Sequence, residues 1–456
     1  MINCNYNQPS SYYPEFLAKS RVKMNLSGTA QAGPIATIRH WIGFACLVSA
    51  PIDVFDVFGF SGDFRLTPFL LLSALYFSVV IFEAIAVATY ASPAIPAECF
   101  DVTVLAAASL ICLMSSSFVF LSHDALNVAP ARLVYGIWLV VFSILFVDKE
   151  RKSLHLMIVR STRLFILLDI AAVTAQIISA ISSVEFPKYL EALSIKTAGT
   201  FFRPGGLISD PNRASVMLIL ILGFAYLAGD ALPEKKRLGV FYYLAGLALA
   251  CLTISRTGTV AIGLLLLIMF QRIKNKKRAF LWISLAAFVL LSAGAAYLTA
   301  SESARDFTHD ASQAFFERDW SNYEHFGVME AGIQTFFGDP KVFLIGVGWG
   351  TEYEYTKTFF PGNKYGNFHC TYISFAVQGG VIALFCLLFL LFRPLLLRYE
   401  FGSLAIIFLW SGIFYQYHGD PLWWILLFAL NKGTIRGGRT DPLLGDASSV
   451  MLRSHA

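Results

Sequence analysis

The sequence predicts an all-α polytopic membrane protein, with about twelve transmembrane helices and one large extracytoplasmic loop containing short helices. Three observations predict it. The 456 residues are 56% hydrophobic and only 14% charged, against about 25% charged in soluble domains. Apolar runs long enough to cross a hydrocarbon layer of roughly 30 Å recur from one end of the chain to the other. Lys and Arg gather in alternate connections between those runs, as the positive-inside rule requires.

The runs lie near 36–58, 68–92, 101–122, 131–147, 154–184, 215–231, 238–255, 257–271, 279–299, 371–392, 402–417 and 421–431. Short ones can tilt or pack inside the bundle. The basic clusters are Lys19, Arg21 and Lys23, then Lys149, Arg151 and Lys152, then Lys235, Lys236 and Arg237. Arg272, Lys274, Lys276, Lys277 and Arg278 follow, then Arg393 and Arg398, and last Lys432, Arg436 and Arg439. With twelve spans every cluster falls on one side, which is then cytoplasmic, with both termini on it. The expected layout is a tail at 1–33, a bundle at 34–299 with an outer connection at 185–214, a large outer loop at 300–370, helices at 371–432, and a tail at 433–456.

The net charge of +5 does not point to nucleic acid, because the basic residues sit in these orienting clusters. The seven cysteines are odd in number, and Cys46, Cys112, Cys251 and Cys386 lie inside apolar runs, so no disulfide framework is expected. The first 33 residues are polar and contain Pro9 and Pro14, so no cleavable signal is expected there, and Met24 is an alternative start.

The stretch 300–370 carries ten acidic and five basic residues. It is far longer than an ordinary connection, which favours a functional role. Asn322 to Phe337 has apolar residues at helical spacing, and Gly338, Asp339 and Pro340 mark a turn. Gly346, Gly348 and Gly350 offer a backbone that other groups can approach closely.

Three features on the outer face could carry chemistry. In Arg203-Pro-Gly-Gly-Leu-Ile-Ser-Asp210-Pro-Asn212-Arg213, Asp210 or Asn212 reads as a helix N-cap. Arg203 does not fit that role, and its planar fork suits phosphate. In Ser255-Arg256-Thr257-Gly258, Arg256 lies on the side the charge rule disfavours; a snorkelling arginine explains it equally well. His369, in Asn367-Phe368-His369-Cys370-Thr371-Tyr372, closes the large loop and can take a proton near neutral pH. A lone histidine is more often structural, but its position at a loop–membrane junction raises its interest.

Together these residues resemble the O-antigen ligase and O-antigen polymerase family of bacterial envelope glycan assembly. The pieces are Arg203-x-x-Gly206 with Asp210-Pro-Asn212, Ser255-Arg256-x-Gly258, Arg318, Gly346-Val-Gly348-x-Gly350, and His369 followed by Gly379-Gly380. They span roughly residues 185–395; the amino-terminal half matches only as a hydrophobic bundle. The family often has His-Asn where this chain has His369-Cys370.

The resemblance implies a glycosyltransferase in the bacterial inner membrane. Its donor would be a glycan on undecaprenyl diphosphate, and its acceptor another glycan or the lipid A core. An acceptor hydroxyl would attack the anomeric carbon, with Arg203 and Arg256 on the diphosphate and His369 as base. Arg318, Asp210, Asn212, Gly346 and Gly348 would bind substrate. No Asp-x-Asp occurs in the chain, so neither a metal nor another cofactor is expected.

Glu83 and Asp169 lie within predicted spans, where an ionisable group is either functional or the partner of another helix's polar group, Arg160 and Arg163 being candidates. His325 and Glu330 could contact the acceptor or be solvated. His418 and Asp420 read as a helix boundary, and Trp423 and Trp424 suit an interfacial aromatic belt. The rival class is a flippase or exporter of a lipid-linked sugar; the chain lacks the half-to-half repeat of transporters, and one outsized loop breaks such symmetry. Between ligation and polymerisation the sequence leans only slightly to polymerisation.

Overall fold

A computed structural model describes residues 34–54, 67–90, 109–111, 129–151, 153–182, 204–253, 255–272, 319–352, 368–417 and 419–432. The described residues are helical and contain no strand. In chain order the α-helices are α1 (Pro34–Ser49), α2 (Pro68–Tyr90), α3 (Ala129–Lys149), α4 (Leu154–Ser182), α5 (Pro211–Asp230) and α6 (Val240–Leu252). Then come α7 (Arg256–Arg272), α8 (Asp319–Gly338), α9 (Pro340–Ile345), α10 (Thr371–Leu396), α11 (Ala405–Phe414) and α12 (Pro421–Lys432). The expected span 279–299, most of 101–122, and the two tails lie outside the described residues.

Among the described residues, three helices are long and apolar enough to cross a membrane: α2 over Pro68–Ile85, α5, and α10. α6, α11 and α12 have only 13, 10 and 12 residues, short of the roughly 20 that a full crossing needs. α5 is the centre of the bundle. Asp210 caps it, Pro211 opens it with its φ preset, and nearly every residue from Ala214 to Gly229 is buried. A helix apolar on every side is stable only when enclosed, and α4, α6 and α7 enclose it. The outer helices are inverted relative to a soluble protein. Ile81, Phe82, Phe241, Leu267 and Phe385 face outward, as they would toward hydrocarbon.

Ion pairs and a His–Glu contact hold these helices together. Arg39 reaches Glu83 and Glu150, and His155 meets Glu400. Arg272 meets Asp230, and Lys432 lies 3.7 Å from Asp148. Glu83 is therefore the partner of Arg39 on α1, and neither Arg160 nor Arg163 is needed for it. Arg272 and Lys432 belong to the basic clusters of the sequence, and their contacts join the C-terminal ends of α7 to α5 and of α12 to α3.

The opposite end is tied by Arg213 in the first turn of α5. Its Nη1 donates to Asp53, beyond α1, and its Nη2 to Asp420, just before α12. Asp53 also accepts from the Ser209 amide at 2.7 Å and its hydroxyl at 2.8 Å. Burial pushes the Asp420 carboxyl up to about 6 against the pull of Arg213. Trp423 and Trp424 correct the expectation of an interfacial belt. Both are buried, packed among Tyr417, Phe408, Phe375 and Phe428, because α12 runs inside the bundle against α3 and α10.

Arg213→Ala leaves two largely buried carboxylates without their cation. It should lower stability by about 3–5 kcal/mol, read as a fall in the thermal midpoint of the purified protein in detergent. Arg213→Lys should recover little, since one ammonium cannot serve two carboxylates from separate nitrogens.

Candidate functional site

The glycine run and α10 meet backbone to backbone. Gly346 has φ +77°, and a Cβ there would lie 2.3 Å from the carbonyl carbon and oxygen of Gln378. Gly380 has φ +71° and breaks the helical path of α10; a Cβ there would lie 2.2 Å from the Leu344 carbonyl oxygen. Only glycine allows both the left-handed φ and this approach. The Val347 amide donates to the Val377 carbonyl at 2.8 Å, and the Gly348 amide to the Gln378 carbonyl at 3.0 Å. The loop thus supplies the donors that a continuous helix would have supplied across the kink. Asp339 caps α9 through the Lys341 amide at 2.8 Å, as the Gly-Asp-Pro turn predicts. α8, over the expected Asn322–Phe337 stretch, closes on the start of α10, where a Cβ on Gly332 would lie 2.3 Å from Ile373. A small core of Val328, Phe336, Val347, Phe368, Ala376 and Val377 seals this contact.

Behind the glycine run lies Glu352, 3% exposed, which the sequence reading passed over. The amides of Gln378 and Gln416 donate to its two oxygens. The oxygen of Gln378 accepts from the Gly350 amide at 2.7 Å, and that of Gln416 from the Phe368 amide at 3.1 Å. Burial pushes the Glu352 carboxyl up to about 8, with Gln416 and Arg132 pulling the other way. His369 follows Phe368 at φ +50°. Its ring meets that of His325 edge to face, 4.1 Å between centroids. Burial, with a smaller effect from His325, pushes the His369 imidazole down to about 3, so it is neutral at physiological pH.

The arginine motifs lie around the N-termini of α5 and α7. Asp210 accepts from the Asn212 and Arg213 amides at 2.8 and 3.1 Å, so its carboxylate is engaged in the cap. Gly206 has φ +65°, and its carbonyl and amide both bond Gln176. Asp169 accepts from the Leu207 amide at 2.8 Å; its role is to hold this loop against α4. Ser255 caps α7 through the Gly258 amide at 3.1 Å. Gly258 lies so close to α5 that a Cβ would meet the Ser215 hydroxyl at 2.2 Å. Arg256 is exposed at the head of α7. Arg203, Arg318 and His418 lie outside the described residues.

The segment 415–420 joins these pieces. The Thr371 amide and hydroxyl donate to the Tyr415 carbonyl at 3.1 and 2.6 Å. Gln416 bonds Glu352 and Phe368, while Asp420 bonds Arg213. Just before it, the Trp410 indole donates to the Thr257 carbonyl at 3.3 Å. The His369 junction, the Asp210 cap and the Ser255–Gly258 turn are therefore linked through one short stretch.

Comparison with known families decides the reading. Residues 241–388 match the family model described as O-antigen ligase. Over these residues the chain is similar to O-antigen ligases. The match takes in the Ser255–Gly258 turn, the glycine run, Glu352, His369 and the α10 kink. A search of curated proteins finds no match. The match covers about a third of the chain, and the apolar helices are in keeping with a multi-pass membrane protein. Among the described residues no group of three or more His, Cys, Asp or Glu could hold a metal ion.

The raised Glu352 carboxyl has a thermodynamic consequence. The folded chain keeps a proton on Glu352 up to about 8, whereas an unfolded carboxyl releases it near 4.5. Wild-type stability relative to Glu352→Gln should therefore fall as pH rises from about 5 to about 8, then level off. Thermal unfolding of both proteins across that range checks the sign; a flat or rising difference contradicts it.

Proposed function

We propose that this O-antigen ligase-type protein transfers a glycan from undecaprenyl diphosphate to an acceptor sugar hydroxyl at the periplasmic face of the bacterial inner membrane, without a metal ion. The layer of basic connections is then cytoplasmic and the 415–420 end periplasmic, with both termini in the cytoplasm. The observation that carries the reading is the linkage of the His369 junction to the Ser255–Gly258 turn within and beside the family-matched residues. Polymerisation of lipid-linked repeats is preferred over ligation to lipid A core by the slight lean of the sequence.

The acceptor oxygen attacks the anomeric carbon, the bond to the diphosphate oxygen breaks, and undecaprenyl diphosphate leaves. Arg203 and Arg256 meet the charge that develops on the leaving group. His369 takes the acceptor proton. Its imidazole is neutral and so has a lone pair available, but burial makes it a weak base when the site is empty. The donor's diphosphate would favour the imidazolium and raise its basicity where proton transfer occurs. Arg318 and Asn212 bind substrate, with Asp210 acting through the cap of α5 and Gly346 and Gly348 through the docking of their backbone on α10.

Transfer by the purified protein from a lipid-diphosphate-linked glycan tests this. Arg203→Ala and Arg256→Ala should each cost about 2–4 kcal/mol in the transition state, with little rescue by lysine. His369→Ala should slow single-turnover transfer about a hundredfold to ten-thousandfold while donor binding persists. Near-normal transfer in these variants overturns the assignment, and translocation of donor without a new glycosidic bond favours the flippase.

A further inference from the structure

The backbone at His369 is held in a conformation that a non-glycine residue rarely adopts. A φ of +50° persists only where the surroundings determine it. On its C-terminal side the Thr371 amide and hydroxyl bond Tyr415. On its N-terminal side the Phe368 amide bonds Gln416 at 3.1 Å. The Gln416 oxygen faces that amide, so its NH2 must point the other way, where it finds Glu352. Gln378 is arranged in the same manner, with its oxygen on the Gly350 amide and its NH2 on Glu352. Position 352 thus faces two amide donors in a buried site, and a carboxyl accepts one on each oxygen. A glutamine there would turn its own NH2 against one of them.

We propose that Glu352 is a positioning residue for His369: through Gln416 its carboxyl anchors the Phe368 amide and so fixes the left-handed turn that presents the imidazole. The Gln378 arm starts from the same carboxyl but runs to Gly350, and so fixes the glycine run. The proposal rests on the reading of His369 as the base, but the clamp has a readout that needs no transfer. Cys370, next to His369, is a free thiol only 3% exposed, so its rate of modification reports opening of this turn.

The experiment uses the full chain in detergent with the other six cysteines replaced and a soluble maleimide as probe. Glu352→Ala and Gln416→Ala should each raise the Cys370 rate about tenfold, as loss of a buried hydrogen bond of roughly 1.4 kcal/mol would. The double variant should be no faster than the singles, because both cut one path. Gln378→Ala removes the arm to Gly350 and one donor to Glu352 but leaves the Glu352–Gln416–Phe368 path intact, so it should leave the rate within about twofold of wild type. In transfer, Gln416→Ala should lower kcat about tenfold with KM unchanged. Unchanged Cys370 reactivity in Gln416→Ala, or additive effects in the double variant, overturns the clamp, and Gln416→Ala with Gln378→Ala tests it even if Glu352→Ala does not fold. Cys370 responding as stated in a protein that transfers no glycan supports the clamp and overturns the reading of His369.

Discussion

At Gly346, Gly379 and Gly380 two stretches of backbone lie against each other with no side chain between them, and the loop donates its amides to carbonyls flanking the break in α10. Breaking a helix inside an apolar bundle strands carbonyls where no water can reach them, which costs several kcal/mol for each one left unsatisfied. The Val347 and Gly348 amides remove that cost. They can do so only because residues 346 and 380 carry no Cβ, so this one contact fixes the glycine run against α10. Glu352 is then brought against Gln378 and Gln416, and Gln416 connects it to the amide that precedes His369.

The second constraint is the placement of polar groups in an apolar molecule. At the end of the bundle that holds the site, the polar links converge on residues 415–420 and on Arg213. Tyr415 and Gln416 hold the turn before α10, and Asp420 grips α5 through Arg213. At the other end the links are ion pairs and a His–Glu contact. The two ends differ in kind. One is a set of side-chain contacts that hold helices together; the other joins the Arg213 ion pairs to backbone and amide contacts that position a loop.

Much of this was legible in the sequence. Asp210-Pro211 announces the cap of α5, Gly338-Asp339-Pro340 the start of α9, and the glycine spacing a close backbone approach. The resemblance to the O-antigen ligase family is borne out over 241–388. Glu352 was not legible, because nothing local separates it from the nine other acidic residues of 300–370. Its burial comes from Gln378 and Gln416, which are distant in sequence. The role of 415–420 was hidden for a related reason: Tyr415 and Tyr417 continue the apolar run of α11, although the helix ends at Phe414. Trp423 and Trp424 misled because hydropathy does not distinguish a helix at an interface from one buried among others.

Amide hydrogen exchange over residues 344–350 tests most directly whether the loop is docked on the α10 kink. In the native protein the Val347 and Gly348 amides should exchange as slowly as those of α10 itself. In Gly346→Ala that protection should collapse while the α5 amides keep theirs. Wild-type Val347 and Gly348 amides that exchange at the rate of an open loop would contradict the account.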